Sequence, residues 1–211
     1  MNVRSMRNEV LGTRVVKAIE SRNMEAYYVR TKEEALAKAL ELIPAGSTVS
    51  WGGCESAKEI GLLDALHNGD YEVLDREDKM TREEKQEVAR KALTCDVFIG
   101  STNAVSEDGV MVNIDGNANR VAAYAFGPKS VVLIVGMNKV VKSEEDAMSR
   151  ARNEAAPINA QRFGIDTPCV KNGTCFDCKS PQCICCQILI TRFSREPKRT
   201  KVILVDENLG F

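Results

Sequence analysis

The sequence predicts an α/β fold: a Rossmann-like, mostly parallel sheet with helices on both faces. Three observations carry that expectation. The short apolar runs Asp96-Val-Phe-Ile-Gly100 and Ser130-Val-Val-Leu-Ile-Val-Gly136 lack the alternation of a half-exposed strand, as strands buried on both faces do. Helical segments stand between the strand signals, and two of them open on capping-box spacings, Thr31-Lys-Glu-Glu34 and Thr81-Arg-Glu-Glu84. Strand and helix signals then alternate along most of the chain, the pattern of a parallel sheet crossed by helices.

Residues 3–22 read as a helix with Val10, Leu11, Val15, Ala18 and Ile19 on its apolar face. A strand over 26–29 follows, and the Thr31 box opens a helix that runs to Ile43, before the breakers Pro44 and Gly46. Next come a strand over 48–51, one helix over 56–67, a strand over 71–74 and the helix from the Thr81 box to Leu93. Val110-Met-Val-Asn113, preceded by Glu107-Asp108-Gly109, reads as one arm of a hairpin inserted after the Gly100 strand, and 119–126 as a helix. Ser143-Glu-Glu-Asp146 starts the last long helix, which Pro157 is expected to stop. A cysteine-rich loop then leads to Gln187-Ile-Leu-Ile-Thr-Arg-Phe193 and Lys201-Val-Ile-Leu-Val205, which read as a β pair docked on the sheet.

A chain of 211 residues suits one domain and buries a substantial core without covalent help. Its 29 Lys and Arg nearly balance 30 Asp and Glu, with no block of like charge, so nucleic acid is not an expected partner. The first ten residues lack the apolar core of a signal peptide, and no apolar run reaches the roughly 18 residues of a membrane span. The expectation is a cytoplasmic protein with no membrane partner, where clustered cysteines mean metal or redox chemistry before disulfides.

In open α/β sheets ligands bind beyond the carboxyl ends of the strands, and three loops there are unusual. Ser50-Trp-Gly-Gly-Cys-Glu-Ser-Ala57 places Gly52 and Gly53 between a strand and a helix, where backbone N–H groups can approach an anion; a tight turn with Ser56 as N-cap would look the same. The stretch from Gly100 to Arg120 crowds Thr102, Asn103, Asp108, Asn113, Asp115, Asn117, Asn119 and Arg120 together. Turn chemistry accounts for part of that density, and Arg120 reads either as a fork for an anion or as a structural ion pair. Gly136-Met-Asn-Lys-Val140 puts Asn138 and Lys139 after a third strand, Lys139 being a cation over the cleft, an amine of shifted pKa or a solvated surface group. Together the loops form a pocket for a small anionic ligand, a carboxylate or phosphate.

The only histidine, His67, reads as the end of a helix, so Ser-His-Asp and Cys-His catalysis are not expected. A general base would have to be Asp108, Asp115 or Glu55, or a tuned Lys139. Cys54 and Cys95 read as buried small residues, and Trp51 as lining either the pocket or the core. The other six cysteines fall at Cys169-x5-Cys175-x2-Cys178-x4-Cys183-x-Cys185-Cys186. Four thiolates serve zinc and iron–sulfur clusters alike; free thiols and a redox-sensing pair are the remaining readings.

The motifs Val49-Ser-Trp-Gly-Gly53, Asp96-Val-Phe-Ile-Gly-Ser-Thr-Asn-Ala-Val105, Asp108-Gly-Val-Met-Val-Asn-Ile-Asp-Gly-Asn-Ala-Asn-Arg-Val-Ala-Ala123, Phe126-Gly-Pro-Lys129, Val135-Gly-Met-Asn-Lys-Val140 and Thr167-Pro-Cys169 resemble the LUD-domain family of lactate-utilisation proteins, formerly DUF162. The resemblance spans nearly the whole chain. It implies one domain over 1–211, with an N-terminal helix in 1–25 and a cysteine-rich loop at 167–186. It also implies a fold like that of ribose-5-phosphate isomerase, glucosamine-6-phosphate deaminase and the CoA-transferases. Where the family usually has Gly-Gly-Ser with a Thr two positions on, this chain has Cys54 and Ser56. The resemblance assigns Cys169, Cys175, Cys178 and Cys185 as ligands of an iron–sulfur cluster or zinc, and leaves Cys183 and Cys186 as extras.

The function implied is a component of lactate or related hydroxy-acid oxidation, with iron–sulfur redox proteins and a homo-oligomeric mate as protein partners. The residues expected to act are Asp108, Asp115 and Lys139 in catalysis, and Gly52, Gly53, Ser56, Thr102, Asn103, Asn113, Asn119, Arg120 and Asn138 in ligand binding. An enzyme acting on a sugar phosphate or CoA thioester, and a non-enzymatic metal or redox sensor, are the competing readings.

Overall fold

A computed structural model describes residues 3–76 and 79–211; Met1, Asn2, Glu77 and Asp78 lie outside the described residues. In chain order the elements are α1 (Val3–Glu20), β1 (Glu25–Val29), α2 (Lys32–Leu42), β2 (Thr48–Trp51), α3 (Glu55–Glu59), α4 (Leu62–Asn68), β3 (Glu72–Leu74), α5 (Arg82–Lys91), β4 (Val97–Gly100), β5 (Ala104–Ser106), β6 (Met111–Asp115), α6 (Asn119–Ala125), β7 (Ser130–Gly136), β8 (Val140–Val141), α7 (Glu144–Arg150), α8 (Ala156–Phe163), α9 (Pro168–Asn172), β9 (Gln187–Thr191) and β10 (Thr200–Val205).

Among the described residues these strands form two sheets. The larger has the order β1-β10-β7-β4-β2-β3, and every pair in it is parallel. Both its faces are buried, as the unbroken apolar runs require. Along β7, Val131, Leu133 and Val135 enter one core cluster with α1 and Tyr124 of α6, while Val132 and Ile134 enter another with α2, α3 and α4. The smaller sheet, β8-β5-β6-β9, is built on the predicted hairpin, whose turn is closed by Gly109 at φ +88°.

Several expected elements come out differently, each for a local reason. The apolar face of α1 is Leu11, Gly12, Val15 and Ile19, and Val10 is 75% exposed because the face follows the four-residue spacing from Leu11. The single helix over 56–67 is two, broken where Gly61 takes φ +75° between α3 and α4. Pro157 does not stop its helix. The chain passes through a π-turn over Ala151–Ala155, with the Ala156 N–H donating to the Ala151 carbonyl, and α8 runs on to Gly164 in the left-handed region. The π-turn takes up the missing N–H and the ring clash within the helix. The expected C-terminal β pair does not form. β9 is antiparallel to β6 in the small sheet, whereas β10 lies between β1 and β7 in the large one.

The caps behave as their chemistry dictates. At Thr81 both halves of the capping box form, whereas at Thr31 the hydroxyl accepts from Glu34 N and the Glu34 carboxylate turns to Arg30 N. Thr81→Ala is therefore expected to cost about 1 kcal/mol in a denaturant titration.

Candidate functional site

Strands β7, β4 and β2 are neighbours in a parallel sheet, so the loops leaving their carboxyl ends converge. They enclose a cavity of about 80 Å³ lined by Gly53, Cys54, Glu55 and Ser56 from the first loop, Ser101, Thr102 and Asn103 from the second, and Lys139 from the third. Ala155, Ala156, Asn159 and Arg162 close it from the π-turn and α8, and Gly210 and Phe211 from the C-terminal tail. Outside it a wider cleft of about 710 Å³ runs past Gly52, Asp115, Asn119 and Arg162.

Lys139 stands at the centre of this arrangement. It ends a 3-10 turn after β7, is 3% exposed, and donates from Nζ to Ser56 Oγ at 3.1 Å and Ser101 Oγ at 3.0 Å. Among the described residues no carboxylate lies within ion-pairing distance of it. Burial, with the charges of Arg150 and Arg120 added, brings its amine down to about 8. The tail covers it closely: Gly210 has φ +56°, and a Cβ there would stand 2.8 Å from Ser56 Oγ and 3.3 Å from Lys139 Nζ.

Arg120 is committed to the protein. Its terminal nitrogens donate to Asn113 Oδ1 (2.8 Å), the Ile114 carbonyl (2.5 Å), Asn103 Oδ1 (3.3 Å) and the Ser101 carbonyl (3.4 Å), and its Nε faces Asp115 at 3.7 Å. It contributes charge to the cavity, but its fork is spent tying together the two ends of the Gly100–Arg120 stretch. Asp115 receives the Arg120 and Val121 N–H groups at the start of α6, and Asn103 Oδ1 accepts from Ile114 N. Thr102 Oγ1 donates to the Ala104 carbonyl.

Three other expected residues go elsewhere. Asp108 is carried by the hairpin turn to α1, where it pairs with Arg22 at 2.7 Å and lines neither the cavity nor the cleft, so its expected place at the site is corrected. Asn138 accepts from Leu209 N through Oδ1 and donates to the Gly210 carbonyl, fixing the tail. Asn119 lies on the outer cleft. Cys54 is buried at the start of α3 with no capping bond, its thiol pushed up chiefly by burial, and Trp51 packs in the core with one edge on the outer cleft.

Several lining residues lay outside the sequence reading. Ser101 stands within the loop singled out, yet only the fold shows its hydroxyl on Lys139. Tyr124 brackets Ser101, donating to its carbonyl at 2.8 Å and accepting from its N–H at 3.1 Å. Gly100 has no room for a side chain there, since a Cβ would stand 1.9 Å from the Tyr124 oxygen. Arg162, on the rim, pairs with Glu55 and donates from Nε to Asn159 Oδ1 at 3.1 Å. It lies on the helical length beyond Pro157 that the sequence did not predict.

A second cavity, of about 100 Å³, adjoins the first across Ile114, Ala156 and Ile184, which line both. Cys169, Cys175, Cys178, Cys183 and Cys185 all face it, so Cys183 joins the four expected ligands, while the exposed Cys186 does not. The segment is not loop throughout, because Thr167 and Pro168 start the short helix α9 that carries Cys169. The Cys185 thiol is pushed up to about 12 by burial and by the neighbouring Cys183, Cys175 and Cys169. Ser180 holds the Cys178 thiol below its usual value. Among the described residues no three His, Cys, Asp or Glu side chains stand close enough to hold one metal ion.

The fold and the two cavities define an α/β protein with a partly open, lysine-centred site next to a thiol-lined one. The chain belongs to the LUD domain family, whose model matches residues 12–205. No curated protein matches the sequence. A DUF162 family protein from Deinococcus radiodurans is similar in fold at 13% identity and a TM-score of 0.53, over 94% of this chain and 98% of that one. Partial likenesses extend to eIF2B beta from Chaetomium thermophilum (12% identity, TM-score 0.40, 55% of this chain and 44% of that one). They extend also to ribose 5-phosphate isomerase from Plasmodium falciparum (13% identity, TM-score 0.32, 53% of this chain and 52% of that one). Among the described residues no helix is long and apolar enough to cross a membrane.

Proposed function

We propose that this protein is a component of lactate or related hydroxy-acid oxidation, binding a small carboxylate in the Lys139 cavity and carrying a thiolate-held centre in the adjoining one. The observation that carries it is the buried ammonium of Lys139, held by two hydroxyls with no carboxylate beside it among the described residues. A cation taken out of water without a counter-charge is costly, and an anionic ligand supplies that charge. The size agrees. The cavity of about 80 Å³ is several times the roughly 10–15 Å³ that one water needs, which leaves room for a small carboxylate. On the rim Arg162 is paired with Glu55, so among the described residues the unpaired positive charge of the cavity is that of Lys139.

The cysteines suit a metal centre in kind, since five thiols converge on one cavity and thiolates are ligands to both zinc and iron–sulfur clusters. Zinc and an iron–sulfur cluster draw on the same thiolates, so metal and sulfide assays separate them. A cluster held by Cys169, Cys175, Cys178 and either Cys185 or Cys183 would accept electrons one at a time. Such a role requires iron–sulfur redox proteins as partners and suits a reducing cytoplasm.

The outer cleft of about 710 Å³ favours a second reading, an enzyme acting on a sugar phosphate or CoA thioester, whose ligand would fill the cleft and reach Lys139 with one anionic group. Thermal shift of anaerobically purified protein with lactate, pyruvate, sugar phosphates and CoA separates the two. Stabilisation by lactate or pyruvate supports the first reading, and stabilisation by CoA or sugar phosphates alone replaces it with the second. Visible absorbance with iron, zinc and sulfide assays tests the centre, and a colourless, metal-free sample removes it. Cys183→Ser is expected to lower metal content as Cys169→Ser does, with Cys186→Ser at wild-type level.

A further inference from the structure

We propose that Lys139 is a covalent site for the carbonyl group of a 2-oxo acid, forming an imine between its Nζ and the ligand's keto carbon. This rests on the carboxylate-binding role proposed for the same cavity and adds an activity to it.

The geometry is that of a presented nucleophile. Ser56 Oγ and Ser101 Oγ lie 3.1 and 3.0 Å from Nζ, and each hydroxyl has another acceptor for its own proton: Ser101 Oγ at 3.5 Å for Ser56, and the Thr102 carbonyl at 3.4 Å for Ser101. The hydroxyl oxygens can therefore accept the two hydrogens of a neutral amine, which leaves its lone pair toward the cavity that Lys139 lines. Among the described residues no carboxylate pairs with the nitrogen to hold it as ammonium. At pH 7 an amine brought down to about 8 is neutral in about a tenth of molecules, far more than an ordinary lysine. The charged groups around it act both ways: Arg150 and Arg120 oppose its protonation, Cys54 and Glu59 favour it, and burial outweighs them; Glu55 on the rim is occupied by Arg162.

The step balances without an oxidant. The amine adds to the keto carbon, one N–H proton passes to the former carbonyl oxygen, and the second N–H proton goes to that hydroxyl as it leaves as water. The C=O bond has been replaced by C=N, both amine hydrogens have left in the water, and the carboxylate is unchanged.

The test is reductive trapping on the full chain. Protein is incubated with pyruvate and sodium cyanoborohydride between pH 6.5 and 9, and adducts are mapped by peptide mass spectrometry. Pyruvate-induced thermal stabilisation is measured on the same samples without the reductant. The expected result is one adduct per chain, on Lys139, at least tenfold above any other lysine, and absent in Lys139→Arg and Lys139→Met variants that retain the wild-type circular dichroism spectrum. Pyruvate stabilisation with no adduct on Lys139 at any pH overturns the imine and leaves the binding role standing. Neither stabilisation nor adduct overturns both. Trapping that persists in Lys139→Arg, or that spreads over surface lysines in proportion to exposure, also overturns the imine.

Discussion

Lys139→Met is expected to make the ligand-free protein more stable while abolishing its response to small carboxylates. The wild-type amine is lowered from 10.5 to about 8 by burial, which corresponds to about 3 kcal/mol of penalty for keeping the charged form inside the fold. That penalty is fully present below pH 8. As pH rises from about 8 towards 10.5 the folded chain has released a proton that the unfolded chain still holds, so the penalty fades. Methionine has nearly the same length, carries no charge, and leaves Ser56 and Ser101 able to bond each other across 3.5 Å. For a domain of this size the gain at pH 7 amounts to a rise of about 6–12 °C in the thermal midpoint, and the difference from wild type should shrink between pH 8 and 10.5. Comparing the two proteins at each pH removes the opposite drift from buried thiols such as Cys54 and Cys185, whose raised values lower stability as pH rises.

Arg120→Ala is expected to act in the opposite sense, with a loss of about 3 kcal/mol or more in denaturant titration. Removing the guanidinium strips partners from Asn113 Oδ1 and the Ile114 carbonyl, leaves Asn103 Oδ1 with only the Ile114 N–H, and leaves the Asp115 carboxylate without its cation. Each stranded group bears its own desolvation cost. It also leaves a hole below Gly52, whose Cβ position lies 3.0 Å from Arg120 Cδ. Arg120→Lys is expected to recover little, because one ammonium cannot reach acceptors laid out for a planar fork. The loss should be equal with and without ligand, which distinguishes a residue that holds the loops from one that holds the substrate.

What the sequence carried and what it did not can be seen in individual residues. Gly100 and Gly136 ended the buried strands, and the order β7-β4-β2 in a parallel sheet then brought their loops together, so the place of the site was legible. The function of a side chain within it depended on distant partners. The sequence leaves Arg120 open between a fork for an anion and a structural ion pair, because its acceptors, Asn103, Asn113 and Ile114, reach it only after β5 and β6 have folded back. Asp108 shared a loop with the site in sequence and was carried to α1 by the hairpin turn. Pro157 hid Arg162, because a π-turn is a tertiary accommodation that local propensity does not announce. Gln187 and Lys201 open similar apolar runs, yet one strand found β6 and the other a slot between β1 and β7, a choice made by the whole sheet. Cys183 gave no sign in its spacing that it would face the other four thiols.

The most direct test of the Lys139 cavity is a calorimetric titration of the wild-type protein and Lys139→Met with pyruvate and lactate from pH 6.5 to 9. The proposed site predicts saturable binding at one ligand per chain in the wild type, with lactate binding weakening above pH 8 as Lys139 loses its charge, and no measurable heat in the variant. Equal affinity in the two proteins, or binding indifferent to pH across that range, would contradict it.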